Sequence, residues 1–345
     1  MNTSTVRFIL SIWKGELQLL PKLSVLDLAP VLEGQTPANS FQNSRELIQT
    51  AEKSGYNRYW VAEHHNMQGI ASSATPVLIG YLAAATSTIR VGSGGIMLPN
   101  HSPLVVAEQF GTLESMYPGR IDLGLGRAPG SDMLTARALR RDDRGAYEFD
   151  RLVDELRGYF EDIERPVIAV PGKGMSIPIW LLGSSLYSAQ LAGRLGLPYS
   201  FASHFAPDLL DDALHTYRRN FIPSKVLDQP YVMVAVNAVV ADTDEEGEYL
   251  ASTLFQQFLG IIKGQRGKTQ PPREMANLWT EDEKKVVFQQ LKYTFFGSQQ
   301  TVYDQLLDFL RHRELDELMI NSPIYDIEKR KASYEYLASI WKEHE

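Results

Sequence analysis

Eight short apolar runs, each followed by a helical pattern, constrain this 345-residue chain more than any other feature. They fall at 22–30, 57–65, 89–99, 120–126, 177–183, 198–205, 231–242 and 315–323. Most are continuous Val/Ile/Leu-rich runs, the signature of parallel strands covered on both faces. The segments between them carry helix punctuation. Residues 40–56 open at Ser40 and close on Gly55, while 75–87 and 103–120 have Pro in the first turn. The economical reading is an α/β fold, a (β/α)8 TIM barrel forming one domain over 22–345 behind an N-terminal extension, 1–21. An open doubly wound sheet fits the same alternation.

Composition removes several functions. The formal charge of −8 and the sequence pI near 5.5 argue against nucleic acid as a partner, because phosphate binding needs basic stripes. With no cysteine there is neither a disulfide framework nor a thiolate metal site. No apolar run approaches the roughly 18 residues of a membrane span. The apolar start at 8–13 is broken by Lys14 and Glu16 and makes a poor export signal, so a cytoplasmic location is expected.

Titratable residues at the end of an apolar strand point to a site, since barrel active sites sit at that edge. Glu63, His64 and His65 end the second run. Adjacent strand residues face opposite ways, so the two histidines are poorly arranged for one metal, and no metal is expected. His64 suits a general base or a substrate hydrogen bond. Asp27, Glu63, His101 and His204, all at strand ends, are candidate substrate-pocket residues. The third run places Gly94 and Gly95 before Ile96, Met97 and Leu98, which suggests a bulge or close approach to a ligand, with apolar side chains for a flat ring. The stretch 124–130 mimics a dinucleotide fingerprint but has Pro129 where the third Gly is needed. Its useful residue is Arg127, a phosphate anchor or a salt-bridge partner. At the fifth strand-to-helix junction, Gly183, Ser184, Ser185 and Ser188 offer either an anion site or plain capping. Residues 263–274 read as a mobile loop and a candidate lid.

Together the blocks WVAEHHNM, VGSGGIMLPNHSPLVVAEQFGTLESMYPGRIDLGLGRAPGSD and WLLGSSLYSAQLAGRLGLP resemble the bacterial luciferase-like flavin monooxygenase superfamily across about 22–323. The resemblance implies a barrel that binds reduced FMN from a separate flavin reductase, activates O2 and oxygenates a small organic substrate. It further implies a cis peptide between Gly94 and Gly95, phosphate contacts from Arg127, Ser184, Ser185 and Ser188, and His64 as the catalytic residue. The luciferases' reactive Cys corresponds to Gly126, so light emission is not expected, and Ser184 stands where luciferases carry a Glu. Members are often homodimers through the helices after strands two and three, and Ile79, Gly80, Ala83 and Ala84 would permit close packing there. The alternatives are hydride transfer with the deazaflavin F420, for which Arg127, Arg137, Arg140, Arg141 and Arg144 would be the basic residues, and a non-catalytic flavin-binding protein.

Overall fold

Side chains on a strand alternate between two faces, and here one face closes on itself. The computed structural model describes residues 11–13, 16–18, 20–128, 132–139 and 148–344. A small antiparallel hairpin, β1 (Ser11–Trp13) and β2 (Glu16–Gln18), precedes the main sheet. That sheet contains β3 (Lys22–Asp27), β4 (Arg58–Val61), β5 (Arg90–Met97), β6 (Ile121–Gly126), β7 (Ile179–Gly183), β8 (Tyr199–Phe201), β9 (Val232–Ala241), β10 (Thr294–Ser298) and β11 (Glu317–Asn321). Eight of these strands pair in parallel in the order β3-β4-β5-β6-β7-β8-β9-β11, and β11 returns to β3 to close the barrel. Closure excludes the open doubly wound sheet. β10 is a ninth strand that the sequence reading did not anticipate. It pairs with β9 at 237–241, beyond the 232–234 stretch taken by the short β8.

The described helices are α1 (Pro37–Ser54), α2 (Thr75–Ala83), α3 (Pro103–Met116), α4 (Met133–Ala138), α5 (Phe149–Phe160), α6 (Leu186–Leu195), α7 (Leu210–Asn220), α8 (Asp244–Ile262), α9 (Glu281–Gln290), α10 (Gln299–Leu310) and α11 (Ile327–Glu343). α1 stops where expected. Gly55 takes φ +84°, which a side chain would resist, and its N–H closes onto the last turn. Its start lies earlier than expected, at Pro37, and Ser40 instead donates to the Pro30 carbonyl at 2.6 Å. Residues 263–274 are irregular but tied down. Thr269 exchanges backbone hydrogen bonds with Val31 and Glu33, and Lys268 donates to the Gln35 carbonyl, so no free lid forms there.

Alternation assigns every barrel residue. Ser24, Leu26, Arg58, Trp60, Asp122, Trp180, Met233, Glu317 and Met319 face inward, and the intervening Val25, Tyr59, Val61, Leu123 and Leu318 pack beneath the helices. At the end away from the strand C-termini the interior is charged. Arg58 donates to Asp122 at 2.7 Å and to Glu317 at 2.8 Å, and Arg90 reaches Asp122 at 2.6 Å. Above this lies an apolar layer of Leu26, Trp60, Trp180, Met233 and Met319.

Asp27 falls on the outward parity of β3. It is fully buried between strand and helices, accepting from Arg330 (3.0 Å), Ser44 (2.5 Å), Tyr59 (2.6 Å) and the Ala29 N–H (2.9 Å). The contact ties the last helix, α11, to the first barrel strand. Burial pushes this carboxyl up, but Arg330 and the hydrogen bonds outweigh it and hold it below its ordinary 3.8. Its folded value is depressed, so its stabilisation is complete above about pH 4 and is lost as pH falls further. Asp27→Asn leaves Arg330 buried without its counter-charge and should destabilise the fold by about 3–5 kcal/mol at neutral pH. Urea unfolding at pH 7 checks the value, and a variant as stable as the parent would contradict it.

Candidate active site

A glycine bulge sets the geometry of the mouth. Between Ser93 and Ile96 the β5–β6 register gains one residue, and the Gly94–Gly95 peptide is cis. Side chains have no room there. A Cβ on Gly95 would lie 2.7 Å from the Gly124 carbonyl oxygen, and one on Gly124 would lie 2.1 Å from the Ser93 oxygen. The Ser93 hydroxyl locks the bulge, donating to the Gly124 carbonyl (2.9 Å) and accepting its N–H (3.0 Å).

At the C-terminal ends of the strands lies a cavity of about 290 Å³. It brings together His64, Gly94, Gly95, Arg127, Gly183, Ser184, Ser185, Ser188 and His204, drawn from five strand ends. Arg127 lies with its guanidinium 4.2 Å from the Tyr187 ring centre on α6, which places the cation beside the start of that helix. Ser185 is the N-cap of α6, and its side chain accepts no capping hydrogen bond. The plain-capping alternative is therefore not realised. The first-turn N–H groups of a helix have no partner within the helix, and here the Ser185 side chain caps none of them. Gly183 permits the turn, since a Cβ there would meet the Ser188 hydroxyl at 2.5 Å.

Four residues expected at the ligand lie elsewhere. Asp27 is the outward clasp described above. Ile96 turns away from the mouth into the core between sheet and helices, and its neighbour Met97 lines the cavity instead. Glu63 is outward by the same parity that turns His64 inward. Its buried carboxylate accepts from His65 Nε2 (2.8 Å), His101 Nε2 (2.9 Å), Asn100 Nδ2 (3.2 Å) and the Met97 N–H (2.9 Å). His101 thus serves Glu63 rather than the cavity. Burial raises the Glu63 carboxyl, but the histidine bonds and the Met97 N–H outweigh it and hold it below 4.5. The carboxylate joins the end of β4, which carries His64, to the end of β5, which carries the bulge.

Burial lowers the His64 pKa below its ordinary 6.5 against the pull of Glu63. Burial, helped by nearby His64, lowers His204 to about 3. Both rings are therefore neutral at pH 7. The sequence reading missed Trp60, Ala235 and Met319 as cavity walls. Period-two counting from His64 back to Trp60 was the available signal. Arg137 is exposed on α4, and Arg140, Arg141 and Arg144 lie outside the described residues. Among the described residues no group of three His, Cys, Asp or Glu side chains is placed to hold a metal.

Glu63→Gln puts an amide against donors that need a carboxylate and should lose about 2–3 kcal/mol of stability at pH 7. The wild-type carboxyl is depressed in the fold, so the deficit narrows only below pH 4.5. Denaturant titrations at pH 7 and pH 4 would show it, and equal deficits at both would count against the ionised network.

The family model for luciferase-like monooxygenases matches residues 22–314. A luciferase-like monooxygenase of Escherichia coli strain K12 is 52% identical over 93% of this chain and 97% of its own. An N-acetyl-S-alkylcysteine monooxygenase of Bacillus subtilis is 35% identical over 92% of this chain and 97% of its own. The crystal structure of apo-MsnO8 superposes with a TM-score of 0.87 at 37% identity, covering 94% of this chain and 99% of that one. These likenesses span most of the chain, and it belongs to the luciferase-like monooxygenase family as a flavin-dependent type of monooxygenase.

Proposed function

We propose that the protein takes reduced FMN from a separate flavin reductase and uses O2 to oxygenate a small organic substrate. One observation carries this reading. A cation and an uncapped helix start occupy one part of the same cavity as a side-chain-free bulge and two neutral imidazoles. The donor set fits a flavin mononucleotide. Arg127, Ser184, Ser185 and Ser188 would hold the phosphate. The Gly94–Gly95 edge and Met97 would face the ring, where any side chain on Gly95 would collide with the sheet. When bound, reduced FMN supplies the electrons and the site of O2 activation.

The remaining work belongs to the chain. Leu26, Trp60 and Met319 keep the inner wall dry, which strengthens every polar contact made there. His64 handles a proton at Nδ1, a buried atom without a hydrogen-bond partner among the described residues. Its backbone is fixed by an N–H bond to the Ser72 carbonyl at 3.0 Å. We also place a homodimer contact on α2 and α3. The small face of α2 is spent inside, with Ile79 and Ala83 buried and Gly80 against Leu113. Val77, Tyr81 and Val105 remain exposed as an apolar outer face.

Arg127→Ala should weaken FMN binding about tenfold or more, the worth of one charge-assisted pair. Flavin fluorescence titration reads it, with F420 titrated in parallel. Preferential binding of F420 would favour hydride transfer instead. His64→Asn should keep FMN affinity and lose turnover, measured as isotope incorporated from labelled O2 with a reductase present. Since neutral His64 is required and its pKa is lowered, the acid limb of wild-type turnover should lie below pH 6.5.

A further inference from the structure

Two glycines on the inward side of β5 leave room for one side chain of the neighbouring strand. Trp60 stands opposite Gly92 in the β4–β5 register. A Cβ on Gly92 would lie 2.9 Å from Nε1 of Trp60, and one on Gly94 would lie 3.1 Å from its Cε3 and 3.2 Å from its Cβ. The indole thus spans the places that side chains at 92 and 94 would otherwise take. Gly94 also belongs to the bulge and, with Gly95, lines the cavity. The bulge therefore offers backbone to the cavity and rests from beneath on Trp60, with Leu26 Cδ1 beside it, 3.2 Å from the same Gly94 position.

The indole is itself held. Its Nε1 donates to Asp122 Oδ2 at 3.2 Å, and that carboxylate is fixed in turn by Arg58 (2.7 Å) and Arg90 (2.6 Å). The Trp180 ring meets it edge-on with centroids 5.2 Å apart, and the Arg58 guanidinium lies 4.7 Å from the Trp180 ring centre. Only 1% of Trp60 is exposed. A close-packed interior transmits displacement, so a shift of the indole becomes a shift of Gly94. A phenyl ring at position 60 would still meet Gly94 but has no donor for Asp122, and a leucine would leave a gap under the bulge.

We propose that Trp60 is a positioning residue for the flavin, acting through Gly94 to fix the backbone face against which the ring lies. This rests on reading the cavity as the flavin chamber. Contacts at Arg127 and the start of α6 would anchor the phosphate, at the far end of the flexible ribityl chain, and leave the ring free to turn. Its orientation then depends on the face it meets. That face has no side chain of its own to adjust, so its position is the position of what lies beneath it. Affinity is set chiefly at the phosphate, and orientation chiefly by Trp60. The chain of contacts runs from the buried Arg58–Asp122 pair through the indole to the bulge, and so links the closed end of the barrel to the mouth.

The test reads ring orientation separately from affinity. The full chain is titrated with FMN, and the circular dichroism of the flavin band, which strengthens when the ring is held in one asymmetric setting, is recorded at equal occupancy. Trp60→Leu should leave less than about half of the parental band, while FMN affinity falls by less than about tenfold. Trp60→Phe, which keeps a ring against Gly94, should fall between the two. Tyr231→Phe controls for stability alone. It removes the hydroxyl bond to Glu317 (3.1 Å) beside Trp180 without touching Gly94, and should keep the full band. If melting curves show that Trp60→Leu does not fold, Gly94→Ala decides, since its methyl presses on the indole from the bulge side and should cause the same loss. A parental band in the deciding variant, Trp60→Phe no better than Trp60→Leu, an equal loss in Tyr231→Phe, or wild-type protein that binds FMN without a strengthened band would overturn the proposal. Wild-type protein that binds no FMN would instead remove the FMN reading, and the same comparison with F420 then decides the role of Trp60. A chain that takes neither cofactor overturns both.

Discussion

A strand offers its side chains only two directions, and closing eight strands into a barrel gives one of those directions to the interior. Everything at the mouth depends on that assignment. It is anchored at the far end, where buried Arg58 lies between Asp122 and Glu317 and so ties β4 to β6 and β11. With Arg58 inward, Trp60 and Ala62 must be inward, and His64 follows them to the cavity. The same count turns Tyr59 and Glu63 outward. One parity therefore decides which member of Glu63-His64-His65 meets a ligand and which serve as its support.

Charge is distributed to match. The closed end of the barrel holds full charges that neutralise one another, and the mouth holds a single charged lining residue and neutral imidazoles among its described residues. An apolar layer separates them. In a low-dielectric interior an unpaired charge is expensive, so ion pairs are confined to places where geometry satisfies every partner. The outer shell uses the same device twice more. Asp27 with Arg330 fastens the C-terminal helix to the first barrel strand, and Glu63 gathers donors from the ends of two successive strands, β4 and β5.

Much of this was legible in the residues. The strand and helix alternation, the glycine bulge, Arg127 and the 183–188 junction all announce themselves through local chemistry, because each demands a particular backbone. The site list failed where a residue's type was right and its direction was not. Asp27, Ile96, Glu63 and His101 are polar or apolar in the expected way and stand at the expected strand ends, yet none lines the cavity. β10 was missed for another reason. It is a short strand after a long helical stretch, and its partner is the unpaired end of β9, a vacancy that exists only once the barrel has closed.

The sequence by itself determined the fold class, the ends of the eight barrel strands, and which residue types were available for phosphate, ring and proton. Those follow from periodicity, glycine placement and side-chain chemistry, which are properties of short segments. Only the tertiary structure decided which of these residues share a space. It turned Glu63 and His101 into a support and brought His204 from the sixth strand to the cavity that His64 lines from the second. Segments distant in sequence meet only when closure sets the register and hence the parity of every strand, and neither is written in any single segment.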